Sequence, residues 1–225
     1  MVAIRSPGWL VNLMTAEHVD TPRPGNDPNR SQRSVGFESA YAGTPPWDIG
    51  RPQPAFLRLA AAGALHGRVL DAGCGTGEHA LMAAGLGQPA TGIDAAPTAI
   101  ALAERKAQQR NLNARFIRWD ALELASLGEQ FDTVIDCGLF HVFDDHDRWR
   151  YVESLGAAIV PGGRYHMLCF SDHQSGDQGP RRVRQDEIRS SFASGWRVES
   201  IEAAILAINT GADGILAWLS TIARV

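Results

Sequence analysis

From Phe37 onward, apolar and polar positions switch between two periods. Residues 54–65 carry Phe56, Leu57, Leu59 and Leu65 among alanines, a spacing that predicts a helix. Arg68–Asp71 is a short apolar run ending in a glycine turn, as a buried strand would be, and Glu78–Leu86 returns to helical spacing. The alternation repeats: strand Ala90–Asp94, helix Pro97–Gln109 with its proline where the missing N–H costs nothing, then strands Ala114–Trp119 and Phe131–Asp136. His146–Ile159 reads as a helix ended by Pro161-Gly162-Gly163, followed by strand Arg164–Phe170. A short helix, Asp186–Ala193, and two further strands, Trp196–Ala204 and Ile215–Ile222, complete the pattern. Strands alternating with helices imply βαβ units and a mostly parallel sheet with helices on both faces. The late run of strands without a long helix adds an antiparallel edge hairpin. The expectation is a seven-stranded α/β fold.

The 225 residues fit one large domain. Residues 15–36 are polar and turn-rich, too poor in apolar surface to offset ordering entropy. We therefore expect residues 1–36 to be a flexible N-terminal tail and 37–225 to be the folded domain. Hydrophobic residues make up 44% and charged residues 20%, an ordinary globular balance. A net charge of −4 gives no electrostatic reason to expect nucleic acid or an anionic membrane as partner. The three cysteines, Cys74, Cys137 and Cys169, form no CxxC pair, so neither a zinc site nor a redox dithiol is expected. No apolar run reaches the ~20 residues of a spanning helix. Gly8–Met14 is broken by Asn12 and lacks a cleavage site, so no signal peptide is expected. A cytoplasmic protein, monomeric or homodimeric, is the simplest expectation.

The chemistry concentrates in Asp71-Ala72-Gly73-Cys74-Gly75-Thr76-Gly77. A strand enters this segment and a helix leaves it, so its glycines sit at the carboxyl edge of the sheet, where ligands of open α/β sheets bind. A dinucleotide fingerprint reads GxGxxG and offers a helix N-terminus to a pyrophosphate. Here the spacing is GxGxG, with Asp71 just ahead. That suits a ligand with an amino acid end, such as S-adenosyl-L-methionine: Asp71 for the ammonium, the loop amides for the carboxylate. Asp94, 21 residues after Gly73, stands where an acid accepts ribose hydroxyls, and it also suits a helix cap. Asp120 follows the third strand, placed either for an adenine amino group or for a plain turn or cap.

Asp71–Gly77, Asp94, Asp120-Ala121 and Pro161-Gly162-Gly163 together resemble the successive motifs of class I S-adenosylmethionine-dependent methyltransferases, with a Rossmann-like sheet. Pro46-Trp47-Asp48-Ile49-Gly50-Arg51-Pro52-Gln53-Pro54 and Ile135–Phe143 narrow the likeness. They resemble the actinobacterial branch related to thiopurine methyltransferases, with its heterocyclic-toxin and quinone methyltransferases. The resemblance implies that Trp47 covers the cofactor and Arg51 faces its carboxylate. It also implies that Gly73, Cys74, Gly75, Gly77, Ala95, Ala121 and Cys137 line the cofactor site.

The expected substrate wall follows the fourth strand: Leu139, Phe140, His141 and Phe143, mainly apolar and suited to a planar aromatic or heterocyclic acceptor. His141 is the candidate to orient or deprotonate a ring hydroxyl or N–H; the alternative is a histidine that holds loop backbone. His173 lies in a polar stretch, Ser171–Arg184, that suits a lid. Asp144, Asp145, His146 and Asp147 read as an acidic helix N-terminus, with no metal expected. Arg181, Arg182 and Arg184 read as a solvated surface or lid contact. Three other readings compete: a methyltransferase acting on RNA or protein, a nicotinamide-dependent oxidoreductase disfavoured by the glycine spacing, and a non-catalytic cofactor-binding regulator. Methyl transfer from a sulfonium needs alignment more than acid–base machinery, so no triad is required.

Overall fold

The computed structural model describes residues 36–210 and 213–225. The expected tail lies outside the described residues except for Gly36, which opens a helical turn over residues 36–40. Seven strands follow: β1 (Val69–Ala72), β2 (Ala90–Asp94), β3 (Ala114–Arg118), β4 (Phe131–Cys137), β5 (Ile159–Phe170), β6 (Trp196–Leu206) and β7 (Ile215–Arg224). Five helices separate them: α1 (Pro54–Ala61), α2 (Glu78–Gly85), α3 (Pro97–Arg110), α4 (Asp145–Ala158) and α5 (Gln185–Ser191). The strands form one sheet in the order β3-β2-β1-β4-β5-β7-β6. β1 to β5 are parallel, while β7 runs antiparallel to both β5 and β6. The expected architecture, including the antiparallel edge pair, is the one observed.

Side-chain alternation along each strand divides the core into two layers. Leu70, Ile93, Val134, Met167 and Trp218 pack on one side with Tyr151 and Leu155 of α4. Val69, Ile135, Leu168 and Leu219 pack on the other with Phe56 of α1, Leu81 of α2 and Ile100 and Ala103 of α3. Burying each large apolar side chain contributes roughly 1.5–3 kcal/mol before ordering entropy is subtracted. Among the described residues no helix is long and apolar enough to cross a membrane.

Two boundaries differ from the sequence expectation. The helix before β5 ends at Ala158, and Pro161-Gly162-Gly163 lies within β5 instead of terminating a helix. The reason is a close backbone approach: a Cβ on Gly163 would fall 2.9 Å from the carbonyl oxygens of Asp132 and Val160. The glycine therefore lets β5 join β4 through a register irregularity between Phe131 and Thr133. Asp144 caps α4, its Oδ1 accepting the Asp147 N–H at 2.9 Å, so that acidic run is arranged as a helix start.

The parallel register sets the site. Asp71 lies level with Gly92 and Ile135, and Ala72 with Ile93 and Asp136, so the tips of β1, β2 and β4 end together at the carboxyl edge of the sheet, where an open α/β sheet has its crevice.

Candidate active site

The glycine turn is built for close approach. Gly73, Gly75 and Gly77 have φ of 68°, 52° and 86°, in the left-handed region. Gly77 is the N-cap of α2, and a Cβ there would meet the Phe116 ring at 2.7 Å and Ala103 at 2.8 Å. That glycine is required by packing of α2 and α3 on the sheet. Gly75 has a different partner: its N–H donates to Asp94 Oδ2 at 2.8 Å. Asp94 Oδ1 accepts the Ala96 N–H at 2.9 Å, ahead of α3. Asp94 thus ties the turn to the tip of β2 and holds the backbone just ahead of α3, whose N-cap is Ala96. Cys74 is buried and its N–H donates to the Ile93 carbonyl at 2.8 Å. Ala95 is half-buried beside Asp94. Asp120 Oδ1 accepts the Leu122 N–H at 2.8 Å, which makes Asp120 a cap, and Ala121 is buried behind it.

Asp71 is fully buried. Its Oδ2 accepts the Ala80 N–H at 3.0 Å, whereas its Oδ1 has no hydrogen-bond partner. Burial, with the nearby carboxylates of Asp94 and Asp136, pushes its pKa up to about 7, against the Ala80 N–H. The sign for stability follows from proton counts. Between about pH 4 and 7 the folded state holds this proton while the unfolded chain has released it, so Asp71 costs stability as pH rises through that window. Buried neutral His79, His141 and His166 act oppositely, because their folded pKa values are lowered, to about 4, 3 and 4. Their contribution is lost as pH falls below about 6.5, so the overall profile mixes the two. Comparison with Asp71→Asn isolates the carboxyl. The wild type is expected to lose stability relative to the variant from pH 4 to 7, measured by denaturant melts at each pH. A pH-independent difference would contradict the assignment.

Asp136, at the tip of β4, was not selected as a site residue from sequence. It is fully buried and accepts four hydrogen bonds, from Leu139 N–H at 2.7 Å, Phe140 N–H at 3.1 Å, Tyr151 hydroxyl at 3.1 Å and Tyr165 hydroxyl at 2.6 Å. Burial nonetheless pushes its pKa up to about 6. This network folds the segment after β4 back over the glycine turn: a Cβ on Gly73 would lie 3.2 Å from Leu139 Cδ2.

The expected substrate wall is therefore redistributed. Leu139 and Cys137 are half-buried at the cleft, and burial holds the Cys137 thiol well above its usual range, as a neutral group. Phe140 and Phe143 instead turn into the core. Phe140 is fully buried between Phe192 and the Arg148 guanidinium, and Phe143 packs on Tyr151. Asp136 holds the backbone here by accepting the consecutive N–H groups of Leu139 and Phe140.

His141 is also inward. Its Nδ1 accepts the Phe170 N–H at 2.9 Å, so the neutral ring carries its proton on Nε2. Burial, with the charges of Arg148 and Arg182, lowers its pKa to about 3. The ring stands edge-on to Phe170 at 4.5 Å. This arrangement corresponds to the loop-holding reading; the one basic nitrogen is occupied, so the deprotonating role finds no support. His173 is exposed, edge-on to Trp218 at 4.8 Å. Arg181 pairs with Asp145 and Glu187, and Arg184 pairs with Asp186.

Trp47 is 42% exposed, its Nε1 donating to the Tyr41 hydroxyl at 3.2 Å, and Arg51 is exposed. The segment carrying them, residues 45–53, is stitched to the β6–β7 hairpin. Asn209 donates from its backbone to Pro46 O at 2.9 Å and from Nδ2 to Pro45 O at 2.9 Å and Asp48 O at 3.1 Å. The Gln53 amide clamps Ala207 from both sides, donating to its carbonyl at 2.9 Å and accepting its N–H at 2.8 Å. Gln53 and Asn209 carry no sequence signal, because their partners lie more than 150 positions away.

Comparison with known proteins agrees with this geometry. A methyltransferase domain family matches residues 69–163. A 2-heptyl-1-hydroxyquinolin-4(1H)-one methyltransferase from Mycobacteroides abscessus is 40% identical over 184 residues, 77% of this chain and 81% of the relative. A solved structure from work on the conversion of a disulfide bond into a thioacetal group during echinomycin biosynthesis is 39% identical, with a TM-score of 0.78 over 85% of this chain and 92% of that one. The magnesium protoporphyrin IX methyltransferase of Synechocystis PCC 6803, solved with bound S-adenosylmethionine, shares the fold at 20% identity and a TM-score of 0.59, over 88% of this chain and 82% of that one. With its glycine turn, its acids at successive strand tips and a relative matched over four-fifths of its length, this chain belongs to the class I S-adenosylmethionine-dependent methyltransferases.

Proposed function

We propose that this enzyme transfers a methyl group to an oxygen or nitrogen of a small aromatic or heterocyclic acceptor, in detoxification or secondary metabolism. The residues fit the cofactor. Asp71 Oδ1 is a buried acceptor without a partner, suited to an ammonium, and the positive-φ glycines carry no Cβ to bar a ligand from the backbone of the turn. Asp94, fixed by two amides, presents a carboxylate of set orientation for ribose hydroxyls. Bound there, S-adenosylmethionine would supply a methyl carbon on a sulfonium; the acceptor's lone pair would form the new bond as the carbon–sulfur electrons stay on sulfur, with the acceptor's hydroxyl or N–H proton released to solvent.

The observation that carries the acceptor class is the character of the β4 tip. Leu139 borders the turn at Gly73, the neutral Cys137 and Phe170 lie on one face of the sheet, and His141 offers no free basic nitrogen. Such a wall aligns and desolvates a planar acceptor that ionises by itself. The M. abscessus relative, whose name specifies an N-hydroxyquinolone, has an acceptor of that kind. The arginine cluster on the lid is paired with acids and carbonyls, which favours a small molecule over RNA.

Incubation with S-adenosylmethionine labelled in the methyl group and a panel of hydroxyquinolines, hydroquinones and thiols tests the reading. Labelled hydroxyquinoline or hydroquinone product is expected. Cofactor binding without transfer to any small acceptor would overturn it.

A further inference from the structure

His79 stands between Asp71, ahead of the glycine turn, and the strap 45–53. His79, in the first turn of α2, is 8% exposed, its ring edge-on to Phe56 at 4.8 Å. Its Nε2 accepts the backbone N–H of Gln53 at 3.2 Å. A ring nitrogen that accepts from an amide is unprotonated, so the neutral ring carries its hydrogen on Nδ1. Nδ1 faces Asp71 Oδ1 at 3.9 Å, too long for a hydrogen bond. That oxygen is the one without a partner. Gln53, at the other end, holds Ala207 of the hairpin through both atoms of its amide.

We propose that His79 is a positioning residue that couples occupation of Asp71 by the cofactor's amino group to the seating of the strap and hairpin over the cleft. Asp71, His79, Gln53 and Ala207 form one line of contacts from the tip of β1 to the end of β6. Each link but the first is already a hydrogen bond. The first closes when Asp71 becomes a carboxylate beside an ammonium, because the charged oxygen draws in the Nδ1–H and the ring carries the Gln53 amide with it. Burial keeps the imidazole neutral down to about pH 4, so it acts as a fixed donor and acceptor. Coupling of this kind is reciprocal: a strap that is held better binds cofactor better.

The coupling rests on the reading that the cofactor's ammonium sits at Asp71, and the test separates the two. Three variants divide the imidazole: His79→Asn retains an amide near Nδ1, His79→Gln retains one near Nε2, and His79→Phe retains neither. Cofactor affinity is read by calorimetry, and hydrogen exchange is followed at the Gln53 and Ala207 amides with and without S-adenosylmethionine. In the wild type, cofactor is expected to slow exchange at both amides. His79→Phe is expected to weaken affinity about tenfold, ~1.4 kcal/mol, and to abolish that protection. His79→Asn is expected to recover part of the affinity, the part owed to a donor beside Asp71, without recovering protection of Gln53, a split that general loosening of α2 would not produce. Should His79→Phe fail to fold, the Asn and Gln variants decide the matter by the same split. Wild-type affinity together with wild-type protection in His79→Phe, or equal behaviour of Asn and Gln, overturns the coupling. Unchanged affinity in Asp71→Asn overturns the ammonium site itself, whatever His79 does.

Discussion

Asp136→Ala is expected to be the most destabilising single substitution at the β4 tip, by about 3–5 kcal/mol, with a drop in Tm of roughly 10 °C. The carboxylate is the shared acceptor for two backbone N–H groups and two tyrosine hydroxyls, all enclosed. Removing it strands these donors where water cannot replace it, and each buried unpaired donor costs about 1–3 kcal/mol. Asp136→Asn is the informative companion. Its Oδ1 can still take the Leu139 N–H, and the tyrosine hydroxyls can rotate to accept from its amide, so a loss below ~2 kcal/mol is expected. Chemical denaturation at pH 8, above the raised pKa of about 6, compares the two in the charged state of the wild type. A loss under 1 kcal/mol for the alanine variant would show that the four contacts do not hold the segment after β4.

Asp94→Ala is expected to weaken S-adenosylmethionine and S-adenosylhomocysteine binding about a hundredfold, ~2.7 kcal/mol. The variant loses a ligand acceptor and also the clasp between the Gly75 N–H and the start of α3. The stability loss of the free protein should be smaller, ~1–2 kcal/mol, because two hydrogen bonds to a half-buried carboxylate are lost and no apolar packing is removed. Calorimetry gives the first quantity and thermal melts without cofactor the second. An affinity within threefold of wild type would remove Asp94 from the cofactor site, and with it the reading of the glycine turn.

What could be read from sequence was what is local. The turn Asp71–Gly77 announces itself because the strand, the glycines and the helix are contiguous, and parallel register then brings Asp94 to the same edge. The hairpin was legible from two strand patterns without an intervening helix. The long-range partners were not. Asp136 stands in an apolar strand and looks like a plain tip residue until Tyr151 and Tyr165, 15 and 29 positions on, fold onto it. The same network reverses the apparent outward run Leu139–Phe143, sending Phe140 and Phe143 into the core. His141 looked poised for acid–base work because nothing in its neighbours announces the Phe170 amide. Pro161-Gly162-Gly163 carried a strong helix-stop signal, and the spatial demand it answers, the approach of β5 to β4, is invisible along the chain.

The strand order has a consequence for how the molecule holds together. β7 lies between β5 and β6, so β6 has no other neighbour in the sheet. β6 is therefore joined to the sheet through β7 alone, and weakening the β7 ladder would release both edge strands together. Residues 45–53 depend on the same pairing, since their anchors Ala207 and Asn209 directly follow β6. One strand, β7, thus carries the attachment of both the sheet edge and the segment bound to it.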